Sequence, residues 1–454
     1  MAERELGEAA PVPPPVRPSL TPEDLKRSQD RARVSRARHG RRRISLLWLL
    51  VGPGMLAMLG ENDGPSMLSY AASGAEYGIG FFLPFIGLTF AAAVVVQEMA
   101  MRVGAVTHRG YGELIFQRFG RTWGWIAVGD LLLTNFVTLI TELIAVRVGM
   151  GFFGVPAPVA VLAGIALVVF GVSGGRYWRW ERIALALALF NLVFLASAVL
   201  THPDPGQIGH ALITWTPRPT GPLQPVLLLV ASDIGATITP WMVFFQQSAV
   251  ADKGMTPRDI GQGRIDTILG SIVAAVAGGA AVVAAATLFT HHVDVSHYQS
   301  GAGFAQALRP LVGPLASSLF ALGLVEAGAL ATMTISASSG YALGEALASP
   351  HSFNRGLREA KGFYSFNVLL AVLAGAVVLI PGAPLLAITL NANLLAVVLL
   401  PPTLVFLLLL ANDRELMGPR SNRLWLKLLG GLIAVAVGVV GSAYAVVAAV
   451  AAIR

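Results

Sequence analysis

The stretch Gly60-Glu61-Asn62-Asp63-Gly64-Pro65-Ser66 constrains this chain more than any other. It lies within an apolar segment long enough to cross a bilayer, where a helix should hide polar groups. Two carboxylates and an amide are nevertheless gathered at mid-depth. Pro65 has no N–H to donate and its ring clashes with the preceding turn, while Gly64 weakens the helix further. Irregular polar backbone at membrane depth is tolerated only where protein buries it or it lines a cavity. Freed carbonyls beside an ionised carboxylate, away from bulk water, make a cation site. Glu61 and Asp63 would lie about 200° apart on a regular helix, so both face one cavity only if the backbone unwinds there.

Composition places the chain in a membrane. Of 454 residues, 13% are charged and 55% hydrophobic, against roughly 25% charged in soluble domains. With no Cys, disulfides, thiolate ligands and thiol catalysis are excluded. Eleven apolar segments approach the ~20-residue length that a span needs: 45–78 (broken), 80–102, 123–149, 155–173, 181–200, 224–250 (broken), 266–290, 313–346, 363–380, 385–410 and 424–452. The stretch Arg102 to Arg121 reads as an amphipathic surface segment. The expected fold is an all-α polytopic membrane protein.

Basic residues set the orientation. All of the 32 Lys and Arg except Arg147, Arg218, Arg309 and Arg454 fall on the N-terminal arm or on alternate connections. That bias predicts a cytoplasmic N-terminus and an exterior C-terminus. Residues 1–43 form a polar arm, proline-rich from Pro11 to Pro18 and basic from Lys26 to Arg43. The arm is expected to be largely disordered and attracted to anionic lipid, rather than bound to nucleic acid. No apolar core lies near Met1, so no cleaved signal peptide is expected. Tyr177, Trp178 and Trp180 read as interface anchors.

A second break is expected in the sixth segment, at Ala231-Ser232-Asp233-Ile234-Gly235-Ala236-Thr237-Ile238-Thr239-Pro240-Trp241. It lies five spans after the first, so the two interrupted segments cross in opposite directions. Discontinuous helices at matching positions of inverted halves point to a transporter site.

These motifs carry a resemblance. Gly52-Pro53-Gly54, Asp63-Gly64-Pro65-Ser66 and Gly74-Ala75-Glu76-Tyr77-Gly78 resemble the first span of the NRAMP (natural resistance-associated macrophage protein) divalent metal transporters. Gln97 to Thr107 resembles the end of their second span, Gly235 to Pro240 their sixth, and Gly323-Leu324 to Thr334 their eighth. The resemblance covers nearly all of residues 45 to 410. It implies a LeuT-type 5+5 inverted repeat with broken helices 1 and 6. The implied division is a first half at 44–250, a repeat boundary near 200–223, a second half at 251–411 and an additional span at 412–454.

The resemblance implies metal ligands at Asp63, Ser66, the Ala236 carbonyl and Thr239. Asn393, near a family Gln, would hold a metal-bound water, and Glu61 and Asn62 would stand beside the site. Thr239 occupies the position of the family Met. Thioether sulfur is soft and helps to select transition metals, whereas oxygen suits Mg, Ca and Mn. Mg2+ sheds water reluctantly, so a roomier oxygen-only site suits it. The pattern is closest to the NRAMP-related magnesium transporters and implies Mg2+, with Mn2+ also accepted.

The family couples metal entry to protons through a His after the span-six proline and two acids in span three. Those positions are Trp241, Glu142 and Ala145 in this chain. Neither an indole nor a methyl carries a proton at neutral pH, and His is the side chain suited to such a relay. Proton coupling is therefore expected to be weak or absent. Trp241, Glu142, Glu326 and Gln246 are candidate pathway residues, and Asp130 and Asp233 read as vestibule or capping groups.

No catalytic residues and no cofactor are expected, because the metal is cargo. No obligate protein partner is evident, and the expected location is the plasma membrane. The alternatives are a proton-coupled Mn2+/Fe2+ transporter, which the missing Met and His disfavour, and an amino-acid/cation symporter, whose substrate carboxylate Asp63 and Glu61 would repel. An intramembrane aspartyl protease would need a partner for Asp63, and none is evident.

Overall fold

The computed structural model describes residues 52–172, 176–293, 301–383 and 385–453. The basic arm and the start of the first segment lie outside them. The described elements are all helical. The first segment is split into α1 (Pro53–Leu59) and α2 (Gly64–Tyr77). Then follow α3 (Phe82–Thr107), the short α4 (Tyr111–Phe119), α5 (Arg121–Phe152) and α6 (Ala157–Val172). The fifth segment forms α7 (Tyr177–Ala188) and α8 (Leu192–Val199), and α9 (Pro205–Thr214) lies in the next connection. The sixth splits into α10 (Leu223–Gly235) and α11 (Pro240–Lys253). The remainder is α12 (Ile260–Thr290), α13 (Gly301–Ala346), α14 (Lys361–Val378), α15 (Leu385–Asn412), α16 (Arg414–Met417) and α17 (Leu424–Ile453).

Among the described residues, nine helical segments are long and apolar enough to cross a membrane, and Ala157–Phe170 is a shorter apolar helix. Both expected breaks are present. The prolines do more than interrupt: Pro65 and Pro240 each sit in the first turn of the helix that follows. A missing N–H costs nothing there, and the fixed φ suits helix initiation. Each proline thus starts a second half-helix.

Two expectations need refinement. The fifth segment is not one continuous helix, because a 3-10 turn at Leu189–Asn191 separates α7 from α8. The long eighth segment carries a non-helical residue at Gly313, φ 83°, next to Pro314. A left-handed residue is readily supplied by glycine.

Close backbone contacts hold the broken first segment. α12 packs along both α1 and α2. A Cβ added at Gly74 would lie 2.2 Å from the Val282 carbonyl oxygen, and one at Gly270 would lie 2.8 Å from the Met55 Cα. Small residues permit such approach where lipid supplies no hydrophobic drive. At the start of α1, Asp266 of α12 accepts the amides of Gly52 (3.1 Å) and Gly54 (2.8 Å). Beside it, Lys253 at the end of α11 pairs with Glu181 of α7 at 2.9 Å, with both side chains buried. α5 and α13 lie against each other, with Gly328 of α13 seated on the Glu142 carbonyl.

Candidate functional site

Between α1 and α2 the helix is interrupted after Gly60, over Glu61 to Asp63. Asp63 is extended (φ −78°, ψ 177°) and caps α2, its Oδ1 accepting the Ser66 amide at 2.9 Å. This is ordinary N-cap chemistry, placed at membrane depth. Gly64 donates its N–H to Glu142 Oε2 of α5 at 2.9 Å. The unwound loop is therefore held from within by Asp63 and from outside by Glu142.

At the second break, Thr239 precedes Pro240 as Asp63 precedes Gly64-Pro65. It is extended (φ −123°, ψ 156°), and its side chain makes no cap. Its hydroxyl instead donates to Glu61 Oε2 at 2.9 Å. This bond brings the two breaks together, and it needs the unwinding that turns Glu61 toward the second break. The Ala236 carbonyl accepts from the Tyr70 hydroxyl of α2 at 2.7 Å. The backbone of Asn393 on α15 presses on Gly235, where an added Cβ would stand 2.1 Å from the Asn393 carbonyl oxygen. Asp63, Ser66, Glu61, Thr239, Ala236 and Asn393 thus lie on the elements that meet at the breaks, and all are buried.

Five buried polar atoms of this region have no hydrogen-bond partner: Glu61 Oε1, Asn62 Oδ1, Ser66 Oγ, Glu142 Oε1 and Trp241 Nε1. Buried polar groups are normally paired, so such a concentration calls for a bound ion or water. Four of the five are oxygens, the donor type that a hard cation takes. Among the described residues no group of three or more Asp, Glu, His or Cys forms a metal cluster. Any cation held at the breaks would therefore draw on carbonyl, hydroxyl and amide oxygens as well.

Several candidates are engaged elsewhere. The Asn62 amide group donates to Asn191 Oδ1 (3.0 Å) and to the Ala274 carbonyl (2.9 Å). Asn191 donates in turn to both oxygens of Glu326, at 3.0 and 3.1 Å. Glu326 thus ends a polar chain that runs from the first break through the 3-10 turn to α13. Sequence reasoning missed Asn191, although an Asn midway along an apolar segment was a signal. Gln246 donates to Thr267 of α12. Trp241 lies close to Gly60, and its carbonyl accepts from Ser338. Ala145 lies against Gly64, where a Cβ would come within 2.3 Å of its own.

Asp233 departs from expectation. It is fully buried rather than at a mouth, and it accepts from Ser69 (2.6 Å) and Ser73 (2.9 Å) of α2. It ties α2 to α10, one half of each broken segment. Asp130 is half-buried on α5.

The Nramp family model, "Natural resistance-associated macrophage protein-like", matches residues 54–447. The chain belongs to the Nramp family. It is 24% identical over 422 residues to a divalent metal cation transporter MntH of Deinococcus radiodurans, covering 87% of this chain and 89% of that one. With the MntH of Yersinia enterocolitica it shares 25% over 411 residues, covering 87% and 94%. In structure it resembles the Eremococcus coleocola manganese transporter, with a TM-score of 0.71 at 21% identity, covering 87% of this chain and 86% of that one. It also resembles MhsT crystallised with L-phenylalanine, at a TM-score of 0.55 and 14% identity. The fold is the LeuT-type transporter fold with both signature helices discontinuous.

Proposed function

We propose that this Nramp-family chain is a divalent metal cation transporter of the plasma membrane, with Mg2+ as its preferred cargo and Mn2+ also accepted. It works by alternating access with little or no proton coupling. The curated relatives bear the name of divalent metal cation transporters, which supports the class. One observation carries the finer reading: Thr239, at the family Met position, offers a hydroxyl that joins Glu61 across the two breaks. A hard oxygen takes the place of a soft sulfur and takes less room, which favours an ion that keeps part of its water. Asp63 and Glu61 supply the charge. Ser66, Asn393 and the Ala236 carbonyl complete an oxygen lining, either directly or through metal-bound water.

The bias of basic residues supports a cytoplasmic N-terminus and attraction of the arm to anionic lipid. Entry then runs down the membrane potential, which gives a divalent ion about 4.6 kcal/mol per 100 mV, twice the single-charge value. Trp241 and Ala145 stand where the family places proton carriers, and both are packed against glycines of the first break.

Liposomes containing the purified chain and an internal pH dye test the reading. Mg2+ entry should proceed without acidification, and excess Mg2+ should compete with Mn2+. The rival is a proton-coupled Mn2+/Fe2+ carrier, favoured by the unpartnered oxygen of Glu142 at the break. Metal-dependent acidification, or Mn2+ uptake indifferent to Mg2+, would establish the rival instead.

A further inference from the structure

A cavity of about 550 Å³ opens where α3, α12 and the turn before α17 meet. Glu98, Arg102, Arg264, Arg420 and Arg423 supply its charge, so four guanidinium groups face one carboxylate. That carboxylate is already engaged. Arg102 donates to both Glu98 oxygens, at 3.1 and 3.2 Å, and Arg264 donates to Oε1 through two nitrogens, at 2.9 and 2.7 Å. Arg102 also donates to the Arg420 carbonyl and to Asn422 Oδ1, which fixes the turn. Arg420 and Arg423 are exposed and form no ion pair among the described residues.

The cavity continues into an apolar face. Val94, Val95, Ile268 and Leu426 line it. On α12, Ile265, Ile268 and Ile272 are 47%, 44% and 55% exposed and share one side of the helix at i, i+3 and i+7. Trp425 is 57% exposed at the start of α17, as interfacial aromatics are.

We propose that this cavity seats an anionic membrane phospholipid. Arg420 and Arg423 would clasp the phosphate, with an acyl chain lying along the isoleucine side of α12. Guanidinium groups bind phosphate oxygens in a matching fork, and basic cavities between spans on the cytoplasmic side bind lipid headgroups. The apolar stripe continuous with the arginines favours a lipid over a free phosphate. Such a lipid bridges α17 to α3 and α12.

The test titrates the full chain in detergent with phosphatidylglycerol, phosphatidylcholine and inorganic phosphate, read by native mass spectrometry and thermal unfolding. Phosphatidylglycerol should bind and stabilise, whereas the other two should not. R420Q/R423Q should lose about thirtyfold in affinity for it, from roughly 1 kcal/mol per surface arginine, with lipid-free stability unchanged. The arm is present in both proteins, so its own lipid attraction cancels. Should the double variant fail to fold, R423Q alone should lose about fivefold by the same value. Equal binding of phosphatidylcholine, equal binding of inorganic phosphate, or undiminished phosphatidylglycerol binding by these variants would overturn the proposal.

Discussion

At the first break Asp63 caps the helix that it precedes, and Glu142 takes up the Gly64 amide. At the second, Thr239 occupies the equivalent place before Pro240 and caps nothing. The first break carries carboxylates and is fastened on both sides. The second contributes neutral oxygens and is fastened through Tyr70 and Glu61, both of which belong to the first segment. Charge and rigidity are therefore concentrated in one half of the site. On the proposed reading, selectivity is left to the other half, where a single side chain changes the donor atom without disturbing the charge.

Substitutions at these positions test that division, and Asp63→Ala should have the largest effect. Loss of a partner outside the ligand shell already costs ~10–100-fold in metal sites, so uptake in liposomes should fall by roughly the top of that range or more. Retained uptake would remove the first break from the site. Glu142→Ala leaves the buried Gly64 amide without an acceptor, which costs about 1–3 kcal/mol. The expected result is a lower melting temperature, restored in Glu142→Gln because the amide oxygen still accepts. If both variants melt alike, Glu142 does not fasten the break.

Thr239→Met should leave charge and fold intact while shifting preference from Mg2+ toward Mn2+ by roughly tenfold, about 1.4 kcal/mol, measurable by isothermal titration. An unchanged ratio would show that the second break does not select. The smallest effect belongs to Tyr70→Phe, which frees the Ala236 carbonyl and removes one hydrogen bond of ~0.5–1.5 kcal/mol. A modest drop in unfolding temperature should come with near-normal transport.

Much of this architecture was legible in the sequence. Glycine and proline set within apolar runs marked both breaks, because few other residues stop a helix at membrane depth. Asp63 stood out as an acid beside the first break, whereas Thr239 was singled out only through the resemblance of its motif to the family's sixth span. What remained hidden depends on contacts across the fold. Asp233 read as a vestibule or capping acid, and only the packing of α2 against α10 reveals that it is buried and accepts from Ser69 and Ser73. Asn191 gave no period and no motif, yet it joins Asn62 to Glu326 through a 3-10 turn. No sequence motif marks Asp266, whose role rests on two glycine amides more than two hundred residues away.

The fastening of α1 to α12 has a further consequence for turnover. With its first amides held by Asp266 and the buried Glu181–Lys253 pair alongside, α1 has no independent swing. It must carry α12 with it or surrender two amide hydrogen bonds to a buried carboxylate, each worth about 1.5–3 kcal/mol. Under the proposed alternating access, a segment secured in this way should make uptake rise steeply on warming, and a shallow temperature dependence of uptake in liposomes would show that α1 does not part from α12.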